Sequence, residues 1–462
     1  MKVTVSNLGI LKQAEFETGD LTVICGSNNT GKTYATYALY GFMKFWNDAF
    51  NYELLKKEEL ARLLKSGSLR VELDETSKKA NEIISHACKE YIYKLPMVFA
   101  TSKNQFNNAG FNVCIPKIDY IKIDKFFQVN GPGRKPFFNI TKKSGEEFLT
   151  IDIVAKSEDI NGISYDWIRR EVNSFILHVL FGDVFPFPFI ASIERTGAVM
   201  FQKELDISRN RLLEHISNRD KDIDPFSLID TYYDRGYALP VKDNVDFIRN
   251  LENVIKGESF IVKENPDISR IFDAIAGGGY KVSTEGVYYV PDKSRARLTM
   301  GESASSVRSL LNLGIYIRHL AFPGDFLMID EPELNLHPMN QRFMARLFAK
   351  LVNAGIKVFI TTHSDYIVKE FNTLIMLKKL GVGAKPIMEE HKYDENELLD
   401  SAGIRAYIAK KSLIKVEGRQ TRQKHNTFVP AIIGEYGIEV DEFNETINIM
   451  NSIQERIIYG SV

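Results

Sequence analysis

Short runs of mostly apolar residues predict three buried strands, and a polar segment follows each of them. The runs are "LTVI" before Cys25, "FLMI" before Asp330 and "VFI" before Thr361. Such runs suit strands that are covered on both faces, as in a parallel sheet between helices. In "TYATYALYGFMKF", Thr33 to Phe45, apolar residues recur every three or four positions, which predicts a helix directly after the first run. The pattern therefore predicts an α/β fold.

The polar segment after the first run, "GSNNTGKT", matches the pattern G-x-x-x-x-G-K-[ST]. Gly26 and Gly31 allow the backbone to curl with its amides pointing inward, and the following helix directs its positive end at the same place. Lys32 would reach the β- and γ-phosphates of ATP, and the Thr33 hydroxyl would bind Mg²⁺. The predicted ATP-binding residues are Gly26, Asn28, Asn29, Thr30, Gly31, Lys32 and Thr33. The alternative is a plain Gly/Asn turn between a strand and a helix.

The second run ends in two carboxylates, Asp330 and Glu331. At the end of a buried strand, Asp330 could hold the water shell of Mg²⁺, and Glu331 could deprotonate the attacking water. The alternative is a strand that ends in a polar turn. The third run leads to His363, whose imidazole could bond the γ-phosphate, although a histidine after a strand is often only a turn residue.

Three serines precede a predicted helix one element before the acidic strand. They are Ser303, Ser305 and Ser306, and the helix carries Val307 and Leu310 on its apolar side. Serines at a helix start are ordinary N-caps. Hydroxyls and amides at such a position also bind phosphate, so a role as a signature segment for a second protomer's ATP is the functional alternative.

Composition adds few restrictions. The chain has 462 residues, 59 Lys and Arg, 60 Asp and Glu, and a net charge of −1, so no overall basic character indicates nucleic acid. Three widely spaced cysteines form no zinc or disulfide pattern, which suits a cytoplasmic protein. The most apolar stretch, 175–193, contains Asp183 and two prolines, so no membrane span is expected.

In this order, the loop, the serines, "DEPE" and "TTHS" resemble the ABC-type ATPases, and their spelling is similar to the RecF-like and OLD-type branch. The resemblance implies an ABC-ATPase head with a mixed central sheet, ATP and Mg²⁺ as ligands, and dimers that sandwich ATP. It places Asn335 and His337 in the D-loop. It also matches "ASIERTG" to a segment of the family. Within this segment, Glu194 and Arg195 either have a functional role or form a buried ion pair.

The resemblance also predicts the domain boundaries. Residues 1–45 would form an ATPase lobe with the phosphate loop, 46–180 a helical and antiparallel β insertion, and 181–198 the return to the core. Residues 199–283 would form a helical insertion, and 284–462 the lobe with the signature, the acidic strand, the histidine and a C-terminal helix. In that helix Phe443, Ile447, Met450, Ile453 and Ile457 form one stripe, for which packing is expected.

OLD-type nucleases continue into a Toprim domain, whereas "LIKVEGRQTR" here predicts only a hairpin. The chain therefore resembles stand-alone ATPases of anti-phage systems, the AriA-type of PARIS first and the PtuA-type of Septu second. This implies a homo-oligomer that controls a separate nuclease and responds to a phage protein. A RecF- or SMC-like ATPase that clamps DNA is the alternative. The basic cluster would then contact phosphates, or else form a solvated hairpin; it comprises Lys410, Lys411, Lys415, Arg419, Arg422 and Lys424.

Overall fold

The computed structural model describes residues 1–50, 54–131, 135–155, 164–201, 236–284, 286–415, 421–434 and 436–459, without the side chains of 49, 103 and 441–447. Two compact units make up the chain. The smaller unit contains Met1–Thr4, Phe42–Lys94 and Gly110–Phe187. The larger unit contains Val5–Gly41, Leu95–Ala109 and Pro188–Val462. All the predicted site residues belong to the larger unit.

The strands are β1 (Lys2–Leu8), β2 (Leu11–Glu17), β3 (Leu21–Cys25), β4 (Ser68–Glu72), β5 (Gly110–Cys114), β6 (Lys125–Asn130), β7 (Pro136–Lys142), β8 (Phe148–Ile153), β9 (Pro188–Ala191), β10 (Gly278–Ser283), β11 (Gly286–Pro291), β12 (Leu298–Thr299), β13 (Phe326–Asp330), β14 (Lys357–Thr362), β15 (Ile404–Ile414), β16 (Gln423–Pro430), β17 (Ile433–Gly434) and β18 (Gly437–Ile438).

The α-helices are α1 (Lys32–Ala49), α2 (Lys57–Ser66), α3 (Asp74–Lys78), α4 (Ala80–Ile92), α5 (Leu95–Val98), α6 (Tyr165–Phe181), α7 (Arg195–Met200), α8 (Leu239–Arg249), α9 (Leu251–Val254), α10 (Phe260–Glu264), α11 (Pro266–Ala276), α12 (Ser305–Ile315), α13 (Pro338–Asn353), α14 (Asp365–Leu380), α15 (Lys385–His391) and α16 (Asp441–Tyr459).

The larger unit is organised around a mixed sheet in which the strands run in the order β2-β16-β15-β3-β14-β13-β9. Strand β3 pairs in parallel with both β14 and β15, and β13 pairs in parallel with both β14 and β9. Strand β16 is antiparallel to β15. The register places Asp330 opposite Thr361, and Thr362 opposite Cys25. Because these strands are parallel, the segments that follow β3, β9, β13 and β14 all begin at one edge of the sheet.

The apolar runs are buried as predicted, because the sheet is covered on both faces. Every residue of β3 and β13 is buried. One continuous core joins these strands to α13 and α14 and includes Leu327, Ile360 and Phe371. Each such side chain contributes about 1.5–3 kcal/mol when it leaves water. The core therefore fixes the strand ends that carry the polar segments.

The smaller unit contains an antiparallel sheet with the order β4-β8-β7-β6. One of its strands lies within the charged stretch 53–92, where the residue pattern favours helices. Ser68–Glu72 forms β4, pairs with β8, and buries Leu69. The stretch "SLRVE" alternates only weakly, and its neighbours α2 and α4 are helices, so the strand is hidden between two helical patterns.

The second predicted insertion, 199–283, is helical from α8 to α11. Its last residues form strand β10, which belongs to a sheet with the order β10-β11-β12. Residues 202–235 of this insertion lie outside the described part. The predicted hairpin is the β15–β16 pair. Residues 416–420, which include Arg419, also lie outside the described part.

The C-terminal helix α16 is present, but its stripe differs from the expectation of packing. Met450, Ile453 and Ile457 are 54%, 53% and 76% exposed. The remaining two stripe residues, Phe443 and Ile447, lie outside the described side chains. In the part of α16 whose side chains are described, the stripe faces solvent.

The predicted fold class is confirmed: the protein is α/β, with a mixed central sheet, an antiparallel β-subdomain and helical insertions. No helix in the described part of the chain combines the length and the apolar character that crossing a membrane requires.

Candidate functional site

The predicted phosphate loop connects β3 to α1 and has the backbone that its glycines allow. Gly26 and Gly31 have φ angles of 137° and 100°. A Cβ on Gly26 would lie 2.3 Å from the carbonyl oxygen of Ala409, and one on Gly31 would lie 2.5 Å from Leu11 Cγ. Both positions therefore require glycine on two grounds, backbone conformation and space. A plain turn would not require such crowding at both ends.

The residues between the two glycines divide into exposed and buried positions. Asn28 and Asn29 are exposed, and Asn29 has a left-handed backbone with φ 59°. Thr30 is buried and donates its hydroxyl to the Ser27 carbonyl at 2.8 Å. The loop is thus held from inside and presents its asparagines to solvent.

Lys32 begins α1 and folds back over the loop. Its Nζ donates to the carbonyls of Gly26 and Ser27, both at 2.9 Å. Burial lowers the pKa of Lys32, while the carboxylates of Glu331 and Asp330 act in the opposite direction. A buried ammonium that donates to neutral carbonyls gains much from an anion, so a triphosphate would bind it strongly.

Thr33 and Asp330 meet where the loop and the acidic strand converge. The Thr33 hydroxyl donates to Asp330 Oδ2 at 3.1 Å, and the Thr361 hydroxyl donates to Oδ1 of the same carboxylate. Asp330 is 1% exposed. Burial raises its pKa to about 6, although the two hydroxyls stabilise the ionised form. The two hydrogen bonds offset only part of the cost of burying this negative charge. A buried carboxylate of this kind, beside a hydroxyl, is suited to binding a cation.

Glu331 follows β13 with a left-handed backbone, φ 51°. Its amide donates to the Thr361 carbonyl at 3.0 Å, and its carboxylate lies 3.4 Å from His363 Nδ1. The hydrogen bond from His363 lowers the pKa of Glu331, and the same contact raises the pKa of His363. An ionised carboxylate next to a half-exposed imidazole can accept a proton from water.

Glu333 belongs to the site, although the sequence analysis gave it no role. It is buried, and it accepts the amide of His363 at 2.7 Å and the Thr362 hydroxyl at 2.8 Å. It therefore fixes the backbone on which His363 stands. The second glutamate of "DEPE" was a visible signal, but its acceptor role depends on the neighbouring strand end.

The structure does not support the hypothesis of a buried Glu194–Arg195 pair. Glu194 accepts the hydroxyl of Tyr37, one turn after Thr33 in α1, at 2.9 Å. Arg195 Nη1 donates to the carbonyls of Ser192 and Asp330, both at 2.8 Å. Arg195 Nη2 donates to the Glu331 carbonyl at 2.8 Å, and Nε donates to the Ser309 carbonyl at 2.9 Å. Burial lowers the pKa of Arg195 to about 10, so the guanidinium remains charged at neutral pH.

The three serines before α12 have different environments. Ser303 is buried and donates its hydroxyl to the Thr299 carbonyl at 2.8 Å, so it is turned away from solvent. Ser305 is exposed and Ser306 is partly exposed in the first turn of the helix. The N-cap is Ala304, which has no acceptor for the first amides, so the ordinary capping role of serine is not filled here.

The predicted D-loop residues are both exposed. Asn335 has a left-handed backbone with φ 61°. His337 is the N-cap of α13, and its Nδ1 accepts the amide of Met339 at 3.3 Å. This is a structural role that the sequence analysis did not assign.

The donor set fits Mg²⁺ held together with a nucleotide. In the described part of the chain, no three His, Cys, Asp or Glu side chains come together as a set that could hold a metal. Thr33 and Asp330 supply one hydroxyl and one carboxylate at the loop, and Mg²⁺ typically takes its remaining ligands from phosphates and water. These two residues would hold the ion, and Lys32 would hold the phosphates.

Comparison with known families supports this chemistry. Residues 190–368 match the family described as the AAA ATPase domain. The match includes the acidic strand and His363 but begins after the phosphate loop. This similarity supports ATPase activity, and the protein hydrolyses ATP. None of the curated proteins matches the sequence.

Solved structures with some similarity include SMC heads. The SMC head domain from Thermotoga maritima is 11% identical, with 94% of this chain and 98% of that chain covered and a TM-score of 0.27. The Pyrococcus furiosus Smc head with an extended coiled coil, bound to the C-terminal domain of ScpA, is 11% identical, with 98% of each chain covered and a TM-score of 0.28. An SmcHead bound to the C-winged helix domain of ScpA is 12% identical, with 80% and 90% covered and a TM-score of 0.30. TM-scores this low do not establish a common fold.

Proposed function

We propose that the protein is an ABC-type ATPase whose ATP-bound homodimer switches a separate effector protein on or off. The observation that carries the proposal is the contact between Thr33 and Asp330, with Glu331 next in the chain. Bound Mg²⁺ would neutralise phosphate charge at this contact. Lys32 holds the β- and γ-phosphates, and Glu331 accepts the proton of the attacking water while His363 fixes the carboxylate. The proposed domain boundaries are those given above.

The proposed second half of the site comes from another copy of the chain. Ser305 and Ser306 stand at an uncapped helix start, where hydroxyls and amides suit a γ-phosphate. Two copies would then enclose ATP between the loop of one and the serines of the other, with Asn335 at the dimer contact. ATP occupancy closes the dimer and hydrolysis opens it.

The proposed effector is a Toprim-type nuclease in the cytoplasm, controlled during anti-phage defence and released in response to a phage protein. Support comes from the motif spelling "GSNNTGKT" and "IDEPELNLHP", which resembles the OLD-type branch and, within it, the AriA-type ATPases. ATP hydrolysis has an effect only if it changes the binding or activity of another molecule. The net charge of −1 favours a protein over DNA as this binding partner.

The test of this proposal uses the full chain purified from its own operon, with Glu331→Gln and Lys32→Ala as variants. We expect Glu331→Gln to bind ATP without turnover and to retain a nuclease of the Toprim class in an ATP-dependent complex, whereas Lys32→Ala retains none. Metal-dependent cleavage by the isolated chain, or a monomer in both preparations with ATP present, would contradict it.

One observation favours the alternative, a RecF- or SMC-like ATPase that clamps DNA. The β15–β16 register places Lys411 beside Asn426 and Leu413 beside Lys424, so these side chains share one face of the ribbon. Lys411, Lys424 and the neighbouring Arg422 are exposed. Cations on a two-stranded ribbon can contact a phosphate backbone. Hydrolysis strongly stimulated by duplex DNA, and lost when these cations are replaced, would favour this function.

A further inference from the structure

The backbone of Glu331 is held from two sides. A left-handed conformation costs a residue with a side chain about 1–2 kcal/mol, so neighbouring contacts must stabilise it. The amide of Glu331 donates to Thr361 on one side, and its carbonyl accepts Arg195 Nη2 on the other. Arg195 also binds the carbonyl of Asp330, the preceding residue. The guanidinium therefore holds both peptide units that aim the carboxylate of Glu331.

The same guanidinium also contacts helix α12. Arg195 Nε donates to the Ser309 carbonyl at 2.9 Å. The hydroxyl of Ser309 lies 2.9 Å from the Ser306 carbonyl and 3.1 Å from the Leu334 carbonyl, and it is the donor in both contacts. The start of α12 is thus tied to the segment after β13 at two points, once through Arg195 and once through Ser309.

We propose that Arg195 is a positioning residue that sets Glu331 for hydrolysis and makes its position depend on the start of α12. The inference rests on the proposed function, in which Glu331 accepts the proton and Ser306 faces a second copy's nucleotide. A shift of α12 when that nucleotide docks would move the Ser309 carbonyl, and the planar guanidinium would pass the movement to the Glu331 peptide. Hydrolysis would then follow assembly of the dimer.

The geometry requires arginine in particular. The four acceptors lie on three segments of chain, and a rigid fork of donors can reach all of them at once. A lysine has one ammonium, which cannot donate to all four carbonyls as the guanidinium does. Arg195→Lys therefore keeps the charge while it removes the connection.

The test measures ATP affinity and single-turnover hydrolysis separately in Arg195→Lys. We expect the dissociation constant for ATP to stay within about twofold, since the four guanidinium bonds described above go to residues outside the loop. We expect the hydrolysis rate to fall roughly 100-fold. Arg346→Lys is the matched control, because Arg346 is also buried and bonded, to Glu397, in the same unit. Its rate should remain at the wild-type value.

A second variant covers the case in which Arg195→Lys does not fold. Ser309→Ala removes the hydroxyl that donates to Ser306 and Leu334 and keeps the Ser309 carbonyl that accepts from Arg195. We expect roughly a fivefold slower rate with unchanged ATP affinity. Ser259→Ala is its control, because that buried hydroxyl donates to the Ile317 carbonyl elsewhere in the unit. Equal effects of the two serine variants would overturn the inference.

Combination with Glu331→Gln separates this inference from the proposed function. If Arg195 acts through Glu331, the double variant hydrolyses ATP no more slowly than Glu331→Gln alone. Multiplying effects, or a wild-type rate in Arg195→Lys, would overturn the positioning role. A wild-type rate in Glu331→Gln would instead overturn the proposed function, whatever Arg195→Lys does.

Discussion

The hydroxyl of Thr33 donates to Asp330 Oδ2 at 3.1 Å, although the two residues are 297 positions apart in the sequence. The contact joins the start of α1 to the end of β13. Helix α1 follows β3, and β3 and β13 are separated in the sheet only by β14. Since every strand involved is parallel to its neighbour, the sheet itself brings the two residues together.

Lys32→Ala should lower ATP affinity by about 100-fold or more. The variant removes the ammonium that lies over the loop, and charge-assisted bonds of this kind are worth up to about 3 kcal/mol. Equilibrium binding of a labelled ATP measures the effect. Lys78→Ala, which removes an exposed cation of the smaller unit, is the control. Unchanged affinity in Lys32→Ala would show that the loop does not bind phosphates.

Glu331→Gln should retain ATP while slowing hydrolysis by a factor of about 10²–10⁴. The amide keeps the shape of the side chain but does not accept a proton at neutral pH. Single-turnover hydrolysis and ATP binding are measured on the same preparation. Glu390→Gln, an exposed position on α15, should behave as the wild type. A variant that turns over at the wild-type rate would remove Glu331 as the base.

The sequence predicts the positions of residues that lie close to a recognisable pattern of apolar and polar residues. The glycines of the loop, Lys32 and Asp330 stand at fixed distances from apolar runs, and strand ends in a parallel sheet meet at one edge. The structure places them as that pattern predicts. The roles of ATP and Mg²⁺ at these positions stay predictions.

The contacts of other residues could not be predicted, because their partners are backbone groups. Arg195 binds four carbonyls, and no side-chain pattern in the sequence indicates a carbonyl acceptor. Ser303 differs from Ser305 only because a turn directs its hydroxyl to Thr299. Strand β4 was missed because its pairing with β8 outweighs a weak local preference.

Ser305 and Ser306 should act on the nucleotide of a second copy. Neither Lys32→Ala nor the double variant Ser305→Ala/Ser306→Ala should hydrolyse ATP alone. An equal mixture should recover about one quarter of the wild-type rate, because half of randomly formed dimers are mixed and each has one intact site. The measurement is steady-state hydrolysis after mixing. If both variants fold and associate but no mixture is active, the sites are not shared between copies.

Protons should compete with Mg²⁺ for Asp330. Burial raises the pKa of this carboxyl to about 6, so without metal its ionised form, which binds Mg²⁺, predominates only above that pH. The Mg²⁺ concentration for half-maximal hydrolysis should therefore increase about tenfold for each pH unit below 6 and change little above 7.

The variant Thr361→Val removes a hydroxyl that stabilises the ionised form of Asp330. The midpoint of this pH dependence should therefore move to higher pH. Thr427→Val, another buried threonine of the sheet, should leave it in place. The titration of ATP itself is common to all three proteins, so the difference between them reports Asp330. Identical midpoints in the wild type and Thr361→Val would show that this carboxyl does not hold the metal.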